Sequence, residues 1–319
     1  MVEKKQFDIS IVIPLYNESK IFPYLIERLN SLSNITDLSI EFVLINDGSK
    51  DNTAQLMSSL ALSDDRYNCV FLSRNYGHQT ALTAGLKCAR GTDAIMIIDG
   101  DLQDPPELLV DFYKYYKQGY DVVFAVRKKR KENFIKRFCY FIFYRILKKI
   151  SYIDIPLDSG DFSLISRRAL DVLNKMPEES RFIRGMRTWI GFKQIGIEYE
   201  RSERFAGESK YTFRMLLKLA YNGIFNFSEF PIKFITNLGA FTVCLSLLYL
   251  TVTIFKKFVY GTVPEGFTAL LFTIILFSGV QMVSLGVIGE YVLRIFFQVK
   301  ERPLYIIENQ VMDKEYLNG

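Results

Sequence analysis

Short β-branched runs alternate along the amino-terminal part of the chain with stretches whose apolar residues recur at helical spacing. Ile9-Ser-Ile-Val-Ile13, Ile40-Glu-Phe-Val-Leu-Ile45, Cys69-Val-Phe-Leu72, Ala94-Ile-Met-Ile-Ile98 and Asp121-Val-Val-Phe-Ala125 each read as a short buried strand. Between them, Ile21–Leu32, Thr53–Leu60, His78–Ala89 and Leu108–Gln118 read as helices, the last stopped by Gly119. This alternation predicts an α/β domain with a doubly wound, mostly parallel sheet. In such sheets ligands bind beyond the carboxyl ends of the strands. Each strand here ends in polar residues: Asn17 and Glu18, Asp47 and Ser49, Arg74 and Asn75, Asp99 and Asp101, and Arg127. A single cluster of this kind is ordinary loop chemistry, whereas five on one rim predict a binding crevice.

The pattern changes after that region. From Glu132 to Tyr152, Phe134, Phe138, Phe141, Ile142, Leu147 and Ile150 are interleaved with Lys136, Arg137, Arg145, Lys148 and Lys149. Such a segment suits an amphipathic helix on a membrane surface, or equally a helix packed on its own sheet with a basic edge. A second interfacial candidate runs from Phe213 to Phe230. Two uncharged apolar runs follow, Leu238–Phe255 and Phe267–Gly289, long enough to cross a ~30 Å hydrocarbon core. The expected division is therefore a core over 1–131, an acceptor-side part over 132–212, an interfacial segment over 213–237, a transmembrane hairpin over 238–300 and a polar tail over 301–319. An even number of spans puts both ends of the chain on one side. No signal peptide is expected in Met-Val-Glu-Lys-Lys-Gln, so the large domain is assigned to the cytoplasm.

Composition supports this division. Nearly half of the 319 residues are hydrophobic although 24% are charged, which fits a soluble domain joined to membrane segments. The net charge of +5 is mild, but basic residues concentrate between Arg127 and Lys149, where they would attract anionic lipid or phosphorylated ligands. No nucleic-acid motif is present. The four cysteines stand at unrelated spacings and read as reduced, apolar fillers.

Asp99 and Asp101, one residue apart at a strand end, are hard oxygen ligands that suit Mg²⁺ or Mn²⁺ alongside substrate phosphates. Neither G-x-G-x-x-G nor G-x-x-x-x-G-K-[ST] occurs, so dinucleotide and P-loop readings are weak. The motifs Val12-Ile-Pro-Leu-Tyr-Asn-Glu18, Asn46-Asp-Gly-Ser49, Ser73-Arg-Asn-Tyr-Gly-His78 and Asp99-Gly-Asp-Leu-Gln-Asp-Pro-Pro106 together resemble family 2 glycosyltransferases of the GT-A fold. Asp158-Ser-Gly-Asp-Phe162, Trp189-Ile-Gly-Phe192 and Arg204-Phe-Ala-Gly-Glu-Ser-Lys-Tyr211 narrow the resemblance to polyprenyl-phosphate glycosyltransferases, the bactoprenol glucosyltransferases and more distantly the dolichyl-phosphate mannose synthases. It runs from about residue 7 to about residue 300.

The resemblance implies an integral membrane enzyme that moves a sugar from a nucleotide diphosphate-sugar, UDP by resemblance to the bacterial branch with GDP as the alternative, to a polyprenyl phosphate by inverting single displacement. By the same resemblance, Asp99, Asp101 and Gln103 surround the Mg²⁺ or Mn²⁺, with Asp101 as the strongest direct ligand. Pro14, Tyr16, Glu18, Asp47 and Ser49 hold the nucleotide. Arg127, Arg204 and Lys210, with Ser209, are the candidates for the acceptor phosphate, since arginine suits bidentate phosphate contact and lysine acts as a point charge. Asp161 is the candidate base. A phosphate monoester has a second pKa near ~6 and needs little proton removal, so an orienting or charge-stabilising role for Asp161 stands beside that one. The lone His78 reads as a structural or helix-capping residue near the nucleotide, and Asp104 as serving the start of the next helix. A homotetramer is allowed by the resemblance. The rival readings are a processive polysaccharide synthase, for which no Q-x-x-R-W is found, and a non-catalytic membrane sensor of sugar nucleotides.

Overall fold

The structure is a computed structural model that describes residues 6–32, 34–127, 159–179, 181–200, 228, 230–261 and 266–318. The amphipathic segment expected over 132–152, most of the interfacial segment over 213–230, and Arg204, Ser209 and Lys210 lie outside the described residues, as does the Arg127 side chain.

The β-branched runs form β1 (Ile9–Leu15), β2 (Ile40–Asn46), β3 (Tyr67–Leu72), β4 (Ala94–Ile97) and β5 (Val122–Arg127). The helices between them are α1 (Phe22–Leu32), α2 (Thr53–Ser63), α3 (His78–Cys88) and α4 (Leu109–Lys117), the last preceded by a 3₁₀ turn at Pro106–Leu108. β6 (Ser159–Ser166), α5 (Arg167–Lys175), α6 (Ile183–Trp189) and β7 (Gln194–Tyr199) follow. Two long helices, α7 (Phe230–Tyr260) and α8 (Phe267–Val299), precede β8 (Ile307–Met312) and β9 (Glu315–Asn318).

Nine strands among the described residues form one sheet in the order β7-β5-β6-β4-β1-β2-β3-β8-β9. The centre, β4-β1-β2-β3, is parallel throughout. β6 is inserted antiparallel between β4 and β5, and β8 lies antiparallel on β3. Hence β1 to β5, β7 and β9 run one way and only β6 and β8 run against them. The α/β, mostly parallel architecture follows the expectation. The tail is a difference: instead of a polar extension, it is a hairpin that covers the β3 edge. A long open edge invites pairing with another chain, and the hairpin replaces it with the four-residue β9 as the outer strand.

Alternation along the strands explains the layers. Ile9, Ile11 and Ile13 of β1 turn to a core shared with Leu25, Leu29, Met57 and Phe112, from α1, α2 and α4. Val12, Val43 and Ile45 turn to the opposite face, where Leu82 and Leu86 of α3, Leu170 of α5 and Met186 of α6 pack. Both faces of the sheet are therefore covered, as its continuous apolar strands require. The parallel direction brings the carboxyl ends of β1, β2, β3, β4 and β5 to one rim.

α7 and α8 hold 31 and 33 residues, about 46 and 50 Å at 1.5 Å per residue, so each exceeds a ~30 Å hydrocarbon core. Their apolar windows, Phe230–Val259 and Leu276–Val299, have mean hydropathies of 2.1 and 1.5 and are not covered by the rest of the protein. Both helices are long and apolar enough to cross a membrane. Because β8 returns to β3, the pair brings the chain back to the body it left. The end of α8 also grips that body: Gln298 Nε2 donates to Pro177 O (2.6 Å), and its Oε1 accepts from Glu179 N (3.1 Å).

Candidate active site

The loops after β1 and β2 are tied to each other. Asn17 N donates to Ser49 Oγ (3.0 Å), Lys50 N to Asn17 Oδ1 (2.7 Å), Glu18 N to Thr53 Oγ1 (3.0 Å) and Ser19 N to Asp51 Oδ2 (3.1 Å). Burial alone would raise the Asp51 carboxyl, but hydrogen bonds from Thr53 and Ser19 outweigh it and bring the pKa down to about 2. Pro14, Tyr16, Glu18 and Ser49 are half-buried on this wall.

Asp47 is buried and performs a specific task. Its Oδ1 accepts from Tyr76 N (2.7 Å) and its Oδ2 from Gly77 N (2.9 Å), which pins the loop after β3 to the end of β2. Burial pushes this carboxyl up, and the two backbone N–H groups pull it back. Gly48 makes the close approach: at φ +64°, a Cβ there would stand 2.5 Å from Arg74 C and Asn75 N. Only glycine tolerates that conformation beside backbone.

The loop after β4 carries Asp99, Asp101 and Gln103, all half-buried on the rim. A Cβ on Gly100 would meet Leu15 Cδ2 at 2.5 Å, so the glycine lets the two aspartates sit against the end of β1. Asp101 Oδ1 accepts from Gln103 N (3.1 Å). Leu102 between them has φ +59°, a strained conformation for a bulky residue. Its carbonyl takes Arg28 Nη1 (3.3 Å), and Arg28 is held bidentately by Glu107 at 2.7 and 2.9 Å. Asp104 takes the Tyr199 phenol at 2.6 Å, so it joins this loop to β7 where the sequence suggested a helix start. Among the described residues no three His, Cys, Asp or Glu side chains converge on a protein-only metal site. Two carboxylates and an amide on an open rim fit a cation that takes its other oxygens from phosphates.

Asp161 lies in β6, where the antiparallel insertion sets it facing the first turn of α3 and the start of α6. Its side chain is 10% exposed. Oδ2 accepts from Gln79 Nε2 at 2.8 Å and stands 3.5 Å from His78 Nε2; Oδ1 stands 3.8 Å from Arg184 Nε. His78 Nε2 is also 3.6 Å from Asp99 Oδ1, so the imidazole stands between two candidate carboxylates as well as opening α3. Arg187, fully buried over the Phe124 ring, has one long hydrogen bond, from Nη2 to Gly160 O at 3.5 Å. Burial lowers its pKa to about 10, which the Asp161 charge partly opposes. For Asp161, burial favours the neutral form, but Arg184, His78 and Arg187 outweigh it and hold the carboxyl well below the usual range. For His78, burial favours neutrality, and Asp161 and Asp99 override it to bring the pKa up to about 9.

The structure thus gathers Pro14, Tyr16, Glu18, Asp47, Ser49, Asp99, Asp101, Gln103 and Asp161 on one side of the sheet. The backbone of Arg127 pairs with Tyr199 at the end of β5, on the same rim. Gln79, Arg184 and Arg187 were not singled out from the sequence. Two arginines three apart within the apolar stretch Phe182-Ile-Arg-Gly-Met-Arg187 were the available signal.

The Glycosyl transferase family 2 profile matches residues 10–173. The chain is 42% identical over 300 residues to the uncharacterized glycosyltransferase YkcC of Bacillus subtilis, covering 94% of this chain and 93% of that one. It is 38% identical over 303 residues to the bactoprenol glucosyl transferase of Shigella phage SfV, covering 95% and 98%. Identity is 37% over 301 residues to the prophage bactoprenol glucosyl transferase homolog of Escherichia coli K12, covering 94% and 98%. A solved structure, S. aureus TarS 1-349 in complex with UDP-GlcNAc, is similar at 19% identity and a TM-score of 0.45, covering 69% of this chain and 67% of that one.

Proposed function

The chain belongs to glycosyl transferase family 2, and we propose that it moves a sugar from a UDP-sugar to a polyprenyl phosphate at the cytoplasmic membrane face. The observation that carries this reading is a carboxylate-lined sheet rim in a chain whose two lipid-length helices leave that sheet and return to it. Near-full-length similarity to proteins named bactoprenol glucosyl transferases supports the acceptor class.

In this reading Pro14, Tyr16, Glu18 and Ser49 line the nucleotide pocket, while Asp47 shapes it by fixing residues 76–77. Asp99, Asp101 and Gln103 would hold Mg²⁺ or Mn²⁺. Such a cation, when bound, supplies charge neutralisation to the departing diphosphate. A phosphate oxygen of the acceptor attacks the anomeric carbon as the bond to the UDP oxygen breaks, so one displacement inverts that centre and releases UDP. Arg127, Arg204, Ser209 and Lys210 are assigned to the acceptor phosphate. Asp161 is a weak base, being held ionised by its cations. The acceptor is already largely a dianion at neutral pH, so the carboxylate is better suited to stabilise positive charge at the anomeric carbon and to order Arg184.

The test is transfer of label from radiolabelled UDP-sugars, with Mg²⁺ or Mn²⁺, to undecaprenyl phosphate by the purified full chain in detergent. Label in the lipid extract supports the reading. Label in polymer favours a processive synthase, and binding without turnover a sensor.

A further inference from the structure

Among the described residues, four buried side-chain atoms around Asp161 have no hydrogen-bond partner: Asp161 Oδ1, Arg184 Nε, and Arg187 Nε and Nη1. Buried polar atoms are nearly always paired, so such a group requires a cause. Asp161 Oδ1 and Arg184 Nε face each other at 3.8 Å. Closing by about 1 Å would give a charge-assisted hydrogen bond at ~2.8 Å and satisfy both. Something holds them apart.

The geometry points to Gln79. Its Nε2 donates to Asp161 Oδ2 (2.8 Å), and its Oε1 accepts from Ile183 N (2.9 Å). One amide therefore grips the β6 carboxylate and the first residue of α6 together. Arg184 is the next residue along that helix. Gln79 itself is anchored on α3, where Gly77 O accepts from the Thr80 and Ala81 amides and Thr83 Oγ1 donates back to Gln79 O. We propose that Gln79 is a positioning residue for sugar transfer, keeping Asp161 and Arg184 close but uncollapsed so that neither is locked into a closed pair. The inference rests on the proposed transfer reaction. It adds a residue that contacts no substrate itself.

The experiment compares wild type with Gln79→Leu and Gln79→Met in the full chain. Transfer to undecaprenyl phosphate, UDP-sugar binding and thermal unfolding are measured on each. Release of the clamp lets the ion pair close, and a misplacement of this size costs about 10²-fold in kcat. Donor Kd is expected to stay within about threefold and Tm to stay near the wild-type value, because the closed pair satisfies two buried atoms while Asp161 Oδ2 and Ile183 N lose the Gln79 amide. A residue with only a packing role would instead lose Tm and kcat together. Either that joint loss or a kcat within about threefold of wild type in both variants overturns the proposal. If wild type moves no label to lipid, the transfer reading fails. The positioning role is then read from the same split in UDP-sugar hydrolysis with water as acceptor.

Discussion

Replacing Asp161 by asparagine separates two meanings of an active-site carboxylate. A base poised toward solvent can be neutralised at little structural cost. Asp161 is instead the counter-ion of Arg184 and of the fully buried Arg187, with His78 at 3.5 Å. Removing one partner of a buried ion pair costs about 3–5 kcal/mol, because the remaining charge is left uncompensated. At roughly 2–4 °C per kcal/mol for a domain of 150–250 residues, Asp161→Asn is expected to lower Tm by about 6–20 °C and to abolish transfer. The companion variant Asp161→Asn with Arg187→Met removes the stranded cation and should recover more than half of the lost Tm without recovering activity. Differential scanning fluorimetry in detergent reads both. The sign with pH is also fixed: the folded pKa is depressed, so the stabilisation is complete above the unfolded value of ~3.9 and is lost as pH falls below it. An Asp161→Asn protein that melts within ~2 °C of wild type, or a double variant no more stable than the single, would refute the counter-ion reasoning.

Asp101→Ala should remove metal-stimulated transfer while leaving Tm within ~2 °C, measured by titrating Mn²⁺ into the transfer assay; wild-type stimulation would remove Asp101 from the cation site. Gly48→Ala places a Cβ against backbone at positive φ, so it should cost more than about 1–2 kcal/mol and raise the donor KM by displacing residues 74–77; unchanged kinetics would show the loop to be unimportant for the donor. Asp51→Asn should lower Tm at pH 7, and the difference should shrink as pH falls from ~4 toward 2, because the depressed carboxyl contributes only while ionised. Thermal melts across that range test it, and a pH-independent difference would contradict the assignment.

The core of this fold was legible where side-chain period and burial agree. β1 and β2 are β-branched and covered on both faces, so their runs announced strands, and the polar residues after them lay on a common rim by direction alone. β6 was harder. Ser159-Gly-Asp-Phe carries an aspartate and a glycine, and its pairing with β4 and β5 depends on partners far away in sequence. The β8–β9 hairpin was missed for a different reason: only Val311 in β8 is buried, so an edge strand with polar neighbours looked like a tail. Asp99 and Asp101 stood out because paired hard ligands at a strand end have a direct chemical meaning. Gln79 could not be found in that way, since its importance lies in reaching Asp161 and Ile183 from a third element.

The return of the chain to β3 has a consequence for biosynthesis. β3 leaves the ribosome early, whereas β8 and β9 emerge after both apolar helices. The sheet edge therefore stays open until both long helices and the residues after them have been made. Closing it adds ladder bonds from Cys69 through Leu72 and brings Asp313 to Arg90, whose guanidinium also holds the buried Glu41 at the opposite end of the strands from the substrate rim. A chain interrupted before β8 would present the unpaired β3 edge to its neighbours. Completion of this sheet thus follows synthesis of both long helices, by the order in which the polypeptide is made.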